Sequence, residues 1–158
     1  MKIDLEREAE IDTTWLTVKN YEFKILVMIA CLAENKLAFR GKLKDMCEFL
    51  AVGNTTSNRD KIKEAITALE AKGDIIVLQE GHTWTLTLTN KCFSKERTKK
   101  IRNAYVMAIQ SYKPVDKDND SVSWWNILKA LVYLCADKRE IKKYSEIANA
   151  LGISKETA

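Results

Sequence analysis

The chain reads as an α+β protein, mainly helical with one small β-hairpin, and three observations predict it. Three early segments, residues 21–33, 42–52 and 57–72, carry apolar residues at helical spacing. After Gly73 the period drops to two: Thr83, Thr85, Thr87 and Thr89 alternate with Trp84, Leu86 and Leu88, the pattern of a half-buried strand. Beyond residue 121 the order of elements begins again with another apolar helical segment, 124–136.

Each element follows from its residues. Residues 1–20 are polar and charged, with Trp15, Leu16 and Val18 as anchors, so an arm that docks in part is expected. Asn20 is a helix-cap candidate, because its side chain can accept from a free amide. Residues 21–33 are apolar nearly all round, which predicts a buried helix. Residues 37–40 suit a short strand, and Gly41 a turn. Helix 42–52 has the stripe Leu43, Met46, Cys47 and Leu50, and Gly53 is expected to end it in the left-handed region. Residues 54–58 are a polar run of caps. A third helix should start at Ser57 or Asn58 and reach Lys72, with Ile62, Ala65, Ile66 and Leu69 inward and Gly73 closing it. Strands 74–79 and 82–89 should then meet at Glu80-Gly81.

Residues 91–112 are expected to form a basic connecting helix with Ile101, Tyr105, Ile109 and Tyr112 along one side. Residues 113–121 hold the single proline, Pro114, and several aspartates, and read as the linker. Residues 122–158 then predict a second, truncated unit: helix 124–136, a short strand at 139–141, helix 144–151, a turn at Gly152-Ile153 and a cap at Ser154. The domain reading is therefore arm 1–20, first domain 21–90, connecting helix 91–112, linker 113–121 and partial domain 122–158. Only four residues follow Ser154, little more than one turn, and a helix that short is marginal in water. The expectation is a parent chain that continues, with the second half used here for packing.

Composition narrows the function classes. In 158 residues the net charge is only +4, too weak to identify a nucleic-acid partner without a cluster. The longest apolar run, 25–33, is far short of the ~20 residues that span a bilayer, and the charged N-terminus lacks the apolar stretch of a signal peptide. A cytoplasmic, nucleoid-associated location is expected, with no membrane partner. The four cysteines, Cys31, Cys47, Cys92 and Cys135, form no CxxC pair, and His82 is the single histidine. No metal site, cofactor or small-molecule ligand is predicted; buried free thiols are. With no Gly-rich phosphate loop, no nucleophile elbow and His82 at a hairpin tip, no catalytic residue is predicted either.

Two stretches resemble the winged helix-turn-helix superfamily. The first, LKDMCEFLAVGNTTSNRDKIKEAITALEAKGDIIVLQEGHTWTLTLT, has a helix, a turn, a helix ending in Leu69-Glu70-Ala71-Lys72-Gly73-Asp74-Ile75, and a hairpin in the place of the wing. Its turn is longer and more polar than the common form. The second, YSEIANALGISKETA, has the tighter form, with Ala148, Gly152, Ile153 and Ser154 at the usual places. The resemblance spans roughly residues 21–89 and 124–158. It implies sequence-specific binding of double-stranded DNA without catalysis, in bacterial, plasmid or phage replication initiation or transcription regulation. The alternative it allows is a protein-docking module of a replication or partition complex.

On that reading the third helix enters the major groove. Thr55, Thr56, Ser57, Asn58, Arg59, Lys63 and Thr67 are its candidate contacts, since hydroxyls, amides and cations suit phosphates and base edges. Asp60 argues against a tight phosphate contact beside it, and the bland reading is a solvated helix face. Thr83 and Thr85 on the hairpin either touch backbone phosphates or form a plain exposed face. Lys95, Lys99 and Lys100, within a run of six basic residues and one acid, Glu96, either neutralise phosphates or solubilise a helix start. The Tyr105, Ile109 and Tyr112 side is expected to pack either on the first domain or on a second copy of the chain; a homodimer would use that side or the 122–158 region.

Overall fold

The computed structural model describes residues 3–33, 37–111 and 124–136. Its class is α+β. In chain order it has β1 (Glu8–Asp12), a 3-10 turn (Thr13–Thr17), α1 (Asn20–Leu32), β2 (Ala38–Gly41), α2 (Leu43–Phe49), α3 (Thr56–Ala71), β3 (Ile75–Glu80) and β4 (Thr83–Leu88). A second 3-10 turn (Lys95–Arg97), β5 (Thr98–Arg102), α4 (Asn103–Ser111) and α5 (Trp124–Ala136) follow.

The core forms around α1. Phe23, Ile25, Leu26, Val27, Met28 and Ile29 have no exposed surface, so the helix that is apolar nearly all round is enclosed nearly all round. Each such side chain contributes roughly 1.5–3 kcal/mol by leaving water. α3, β1, β2, β4 and α5 pack around it. α3 meets it through Ile62, Ala65, Ile66 and Leu69, all buried, which is the expected stripe. The antiparallel sheet has the order β2-β4-β3, and its inner side carries Phe39, Ile75, Leu86 and Leu88. Trp84, in line with the two leucines, is half-buried against the same core.

Helix ends differ from the sequence reading in instructive ways. Asn20 is the first residue of α1 and does not cap it; Lys19 holds the cap position without a side-chain bond. α2 stops at Phe49, and the left-handed residue after it is Ala51, at φ 57°, not Gly53. The chain must turn while Leu50 stays buried, so the strained angle falls one residue later, on an alanine. α3 begins at Thr56, one to two residues early, because Thr55 is the better cap: its Oγ1 accepts from Asn58 N–H at 3.2 Å. Gly73 closes α3 at φ 77°, and the hairpin turns at Gly81-His82 with Gly81 at φ 62°, where a side chain would be strained.

The largest departure concerns the segments on either side of residues 20–89. Residues 91–112 are not one helix. Lys95–Arg97 is a 3-10 turn, Thr98–Arg102 is strand β5, and α4 starts only at Asn103. The physical reason is the N-terminal segment. β1 pairs antiparallel with β5, setting Glu8 opposite Arg102 and Glu10 opposite Lys100. Opposite charges across a pair favour the strand, and Ala9, Ile11 and Ile101 are buried on the other face. The segment from residue 3 to 20, expected to dock in part, is held closely: Trp15 is 1% exposed and its Nε1 donates to the Cys92 carbonyl at 2.8 Å. The later helix start also changes its phase. Val106 faces inward with no exposed surface, while Tyr105 is 58% exposed.

α5 packs on α4, α1, β5 and the first 3-10 turn, with Leu128 and Val132 fully buried. Cys31, Cys47 and Cys92 are free and buried; burial pushes the Cys31 thiol up to about 12. The expected linker 113–121, Tyr112, the strand at 139–141, the helix 144–151 and the turn and cap at 152–154 lie outside the described residues.

Candidate nucleic-acid interface

α3 is held at three places. Its stripe lies on α1, its N-terminus is closed by two side chains, and its C-terminus is tied by charge. At the N-terminus Thr55 caps, and Asn58 Nδ2 donates to the Gly53 carbonyl at 2.9 Å. At the C-terminus Lys72 forms an ion pair with Glu22 of α1, and its Nζ lies 3.8 Å from Asp74 Oδ2. Glu22 is only 6% exposed, so this pair fixes the end of α3 against α1.

That anchoring leaves one side of the helix to solvent. Thr55, Thr56, Ser57, Lys63 and Thr67 are exposed, while Asn58 and Arg59 are half-buried. Arg59 leans toward α2. Burial pushes the Cys47 thiol up, and the nearby Arg59 charge pulls it back. Thr55 and Asn58 are already committed to capping, which leaves Thr56, Ser57, Arg59, Lys63 and Thr67 with the freer groups. A shallow concavity runs along the outer side of α3, lined by Asp60, Lys63, Glu64, Thr67, Ala68 and Ala71. Lys63 therefore has two carboxylates beside it in this concavity, Asp60 and Glu64.

The hairpin lies beside α3, since β3 packs against it. Thr83 and Thr85 are half-buried, not wet. By strand alternation they share the outer sheet face with Arg40, which is opposite Thr85, and with Leu78, its partner on β3. Ile76 and Leu78 on that face are 62% and 53% exposed. Arg40, exposed at the sheet's edge strand, is a cation the sequence reading overlooked. A lone arginine in a four-residue strand carries no pattern of its own; only its register against Thr85 reveals it.

The basic run is not brought to this place. Lys95 sits in the second 3-10 turn, and Lys99 and Lys100 lie on opposite faces of β5. β5 packs mainly on β1, α4 and α5, whereas α3 packs on α1, α2 and β3. Lys99 shares its face with Ile11 and is half-buried; Lys100 is opposite Glu10. Lys95 and Lys100 instead line a separate cavity of about 630 Å³ with Arg7, Asp4, Glu8 and Glu10 over a floor that includes Leu37, Leu88 and Phe93. Three acids against three bases give that cavity no preferred ligand charge.

No family model, curated protein or solved structure matches this chain. No helix among the described residues is long and apolar enough to cross a membrane.

Proposed function

We propose that residues 20–89 form a winged helix-turn-helix domain that binds duplex DNA sequence-specifically and without catalysis, in replication initiation or transcription control. The order α1-β2-α2-α3-β3-β4 with sheet order β2-β4-β3 supports that architecture. The observation that carries the function is α3: it is fastened by a four-residue apolar stripe and presents Thr56, Ser57, Lys63 and Thr67 to solvent next to a hairpin. A helix so mounted can enter the major groove with hydroxyls and a cation leading.

A second reading, a protein-docking domain, is favoured by the outer face of the hairpin. Ile76 and Leu78 are apolar and exposed there, where a phosphate-facing wing would carry cations. The two readings separate on salt. Affinity for duplex DNA falls steeply as salt rises, because counterions are released on binding; apolar docking is far less sensitive.

The test is selection of bound sequences from a random duplex pool, followed by anisotropy titrations of the selected site at several salt concentrations. A consensus, a steep salt slope and weaker binding by Lys63→Ala and Arg59→Ala are expected, each loss being roughly 1–3 kcal/mol if a base edge is read. Lys63→Ala is the cleaner variant, since Lys63 is exposed and Arg59 is not fully so. No enrichment from the pool, with both variants folded, overturns the DNA reading.

A further inference from the structure

α5 lies on α1 across a contact that contains two buried lysines. Lys24 is 3% exposed and Lys129 2%. Lys129 Nζ donates to the Val18 carbonyl at 2.8 Å and lies 4.9 Å from the Phe23 ring centre. Lys24 is worse provided for. Its Nζ sits 4.2 Å from the centre of the Tyr21 ring and 3.6 Å from that of Trp125 on α5, and among the described residues it has no hydrogen-bond acceptor or carboxylate. Glu22, two residues before it on α1, is engaged with Lys72, and Asp12 of β1 with Arg97. The charge facing Lys24 from α3 is Lys61, of the same sign, and α5 itself brings Lys129, also of the same sign. β1, β2, β4 and the first 3-10 turn, the other elements packed on α1, supply no carboxylate that acts on it.

An ammonium group in this place has given up its water for two ring faces. Ring faces return only part of what hydration supplied, and docked α5 therefore favours the neutral amine. An undocked α5 returns Lys24 to water. We propose that α5 is a proton-gated latch on α1, tighter when the Lys24 amine is neutral and looser when it is protonated.

Burial, with a smaller contribution from the charge of Lys61, brings Lys24 down from its ordinary value to about 8. Between about pH 8 and the ordinary lysine value of 10.5, the docked state holds fewer protons than the undocked one. Docking strengthens as pH rises through that window and is constant below it, where both states are charged. From pH 7 to pH 9 the docking constant should rise about tenfold.

The experiment uses the full chain. Amide exchange, followed by quench-flow and corrected for the intrinsic rates, gives protection across α5 and across the buried stripe of α3 at pH 7 and pH 9. About a tenfold rise in protection of α5 with none in α3 is expected, together with a diminished rise in Lys24→Met. Lysine Cε chemical shifts of the unmodified chain supply a readout that does not depend on the variant folding: Lys24 should titrate near 8. A Lys24 midpoint near 10.5, parallel changes in α5 and α3, or a rise between pH 7 and pH 9 that is undiminished in Lys24→Met would overturn the latch; burial also lowers Lys129 from its ordinary value, which leaves a smaller response in that variant.

Discussion

Asp12 offers the sharpest test of how the segments flanking residues 20–89 are joined. Its carboxylate has no exposed surface, yet it accepts from the Thr14 N–H and hydroxyl at 2.8 Å each and from the Ser94 N–H at 3.0 Å. Arg97 completes the set, with Nε at 3.2 Å and Nη2 at 3.0 Å. Asp12→Ala strands two backbone N–H groups, at roughly 1–2 kcal/mol each. The arginine contributes less, because its side chain is 40% exposed and water can replace the partner. The expected loss is therefore about 3 kcal/mol, and about half that for Asp12→Asn, which keeps one acceptor oxygen. Burial pushes the Asp12 carboxyl up, but the bonds from Arg97, Thr14 and Ser94 outweigh it and hold the group below its ordinary value of 3.8. The folded state thus binds this proton less readily than the unfolded one. The stability it contributes is complete above that value and is lost as pH falls below it. Urea denaturation followed by circular dichroism at pH 7, 5, 4 and 3 measures both effects. A loss under about 0.5 kcal/mol at pH 7 for Asp12→Ala, within the range of ordinary surface substitutions, would refute the reasoning. So would an acid limb unchanged in Asp12→Asn.

Four further outcomes are expected. Ala51→Gly should stabilise the chain by about 0.5–1 kcal/mol in urea denaturation, because relief of the left-handed angle exceeds the added freedom of the unfolded glycine. Leu128→Ala should cost roughly 2–4 kcal/mol if α5 is integral to the core, read as a lowered Tm. Lys72→Ala leaves the buried Glu22 carboxylate unpaired and should cost about 2 kcal/mol, less than a fully buried pair because Lys72 is half-exposed. Replacing Lys95, Lys99 and Lys100 together should change the salt slope of DNA binding by less than about 1, since β5 and the second 3-10 turn do not pack with α3, and should lower Tm by removing the charge opposite Glu10.

Residues 20–89 were largely legible in the sequence. Their elements rest on local signals: the stripe of Ile62, Ala65, Ile66 and Leu69, the alternation about Leu86, the glycines at 73 and 81. Cap positions were less legible, because Asn20, Thr55, Ser57 and Asn58 all have suitable side chains and only the packing of α1 and α3 chooses among them. The candidate interface divided in the same way. The outward side of α3 followed from its inward stripe, but the separation of Lys95, Lys99 and Lys100 from it did not.

Periodicity, which each segment carries within itself, determined the α+β class, the buried α1 and the exposed side of α3. The tertiary structure alone decided the fate of 91–102. A basic run with one buried isoleucine favours neither helix nor strand strongly. What selects the strand is β1, some 90 residues away, whose Glu8 and Glu10 stand opposite Arg102 and Lys100 and whose Ala9 and Ile11 share the buried face with Ile101. The same holds for Lys24. In sequence it is one polar residue in an apolar helix; only the arrival of Trp125 on α5, a hundred residues later, turns it into a buried cation between two rings. Pairing and burial between distant segments are energies of contact, and no residue expresses them until its partner is in place.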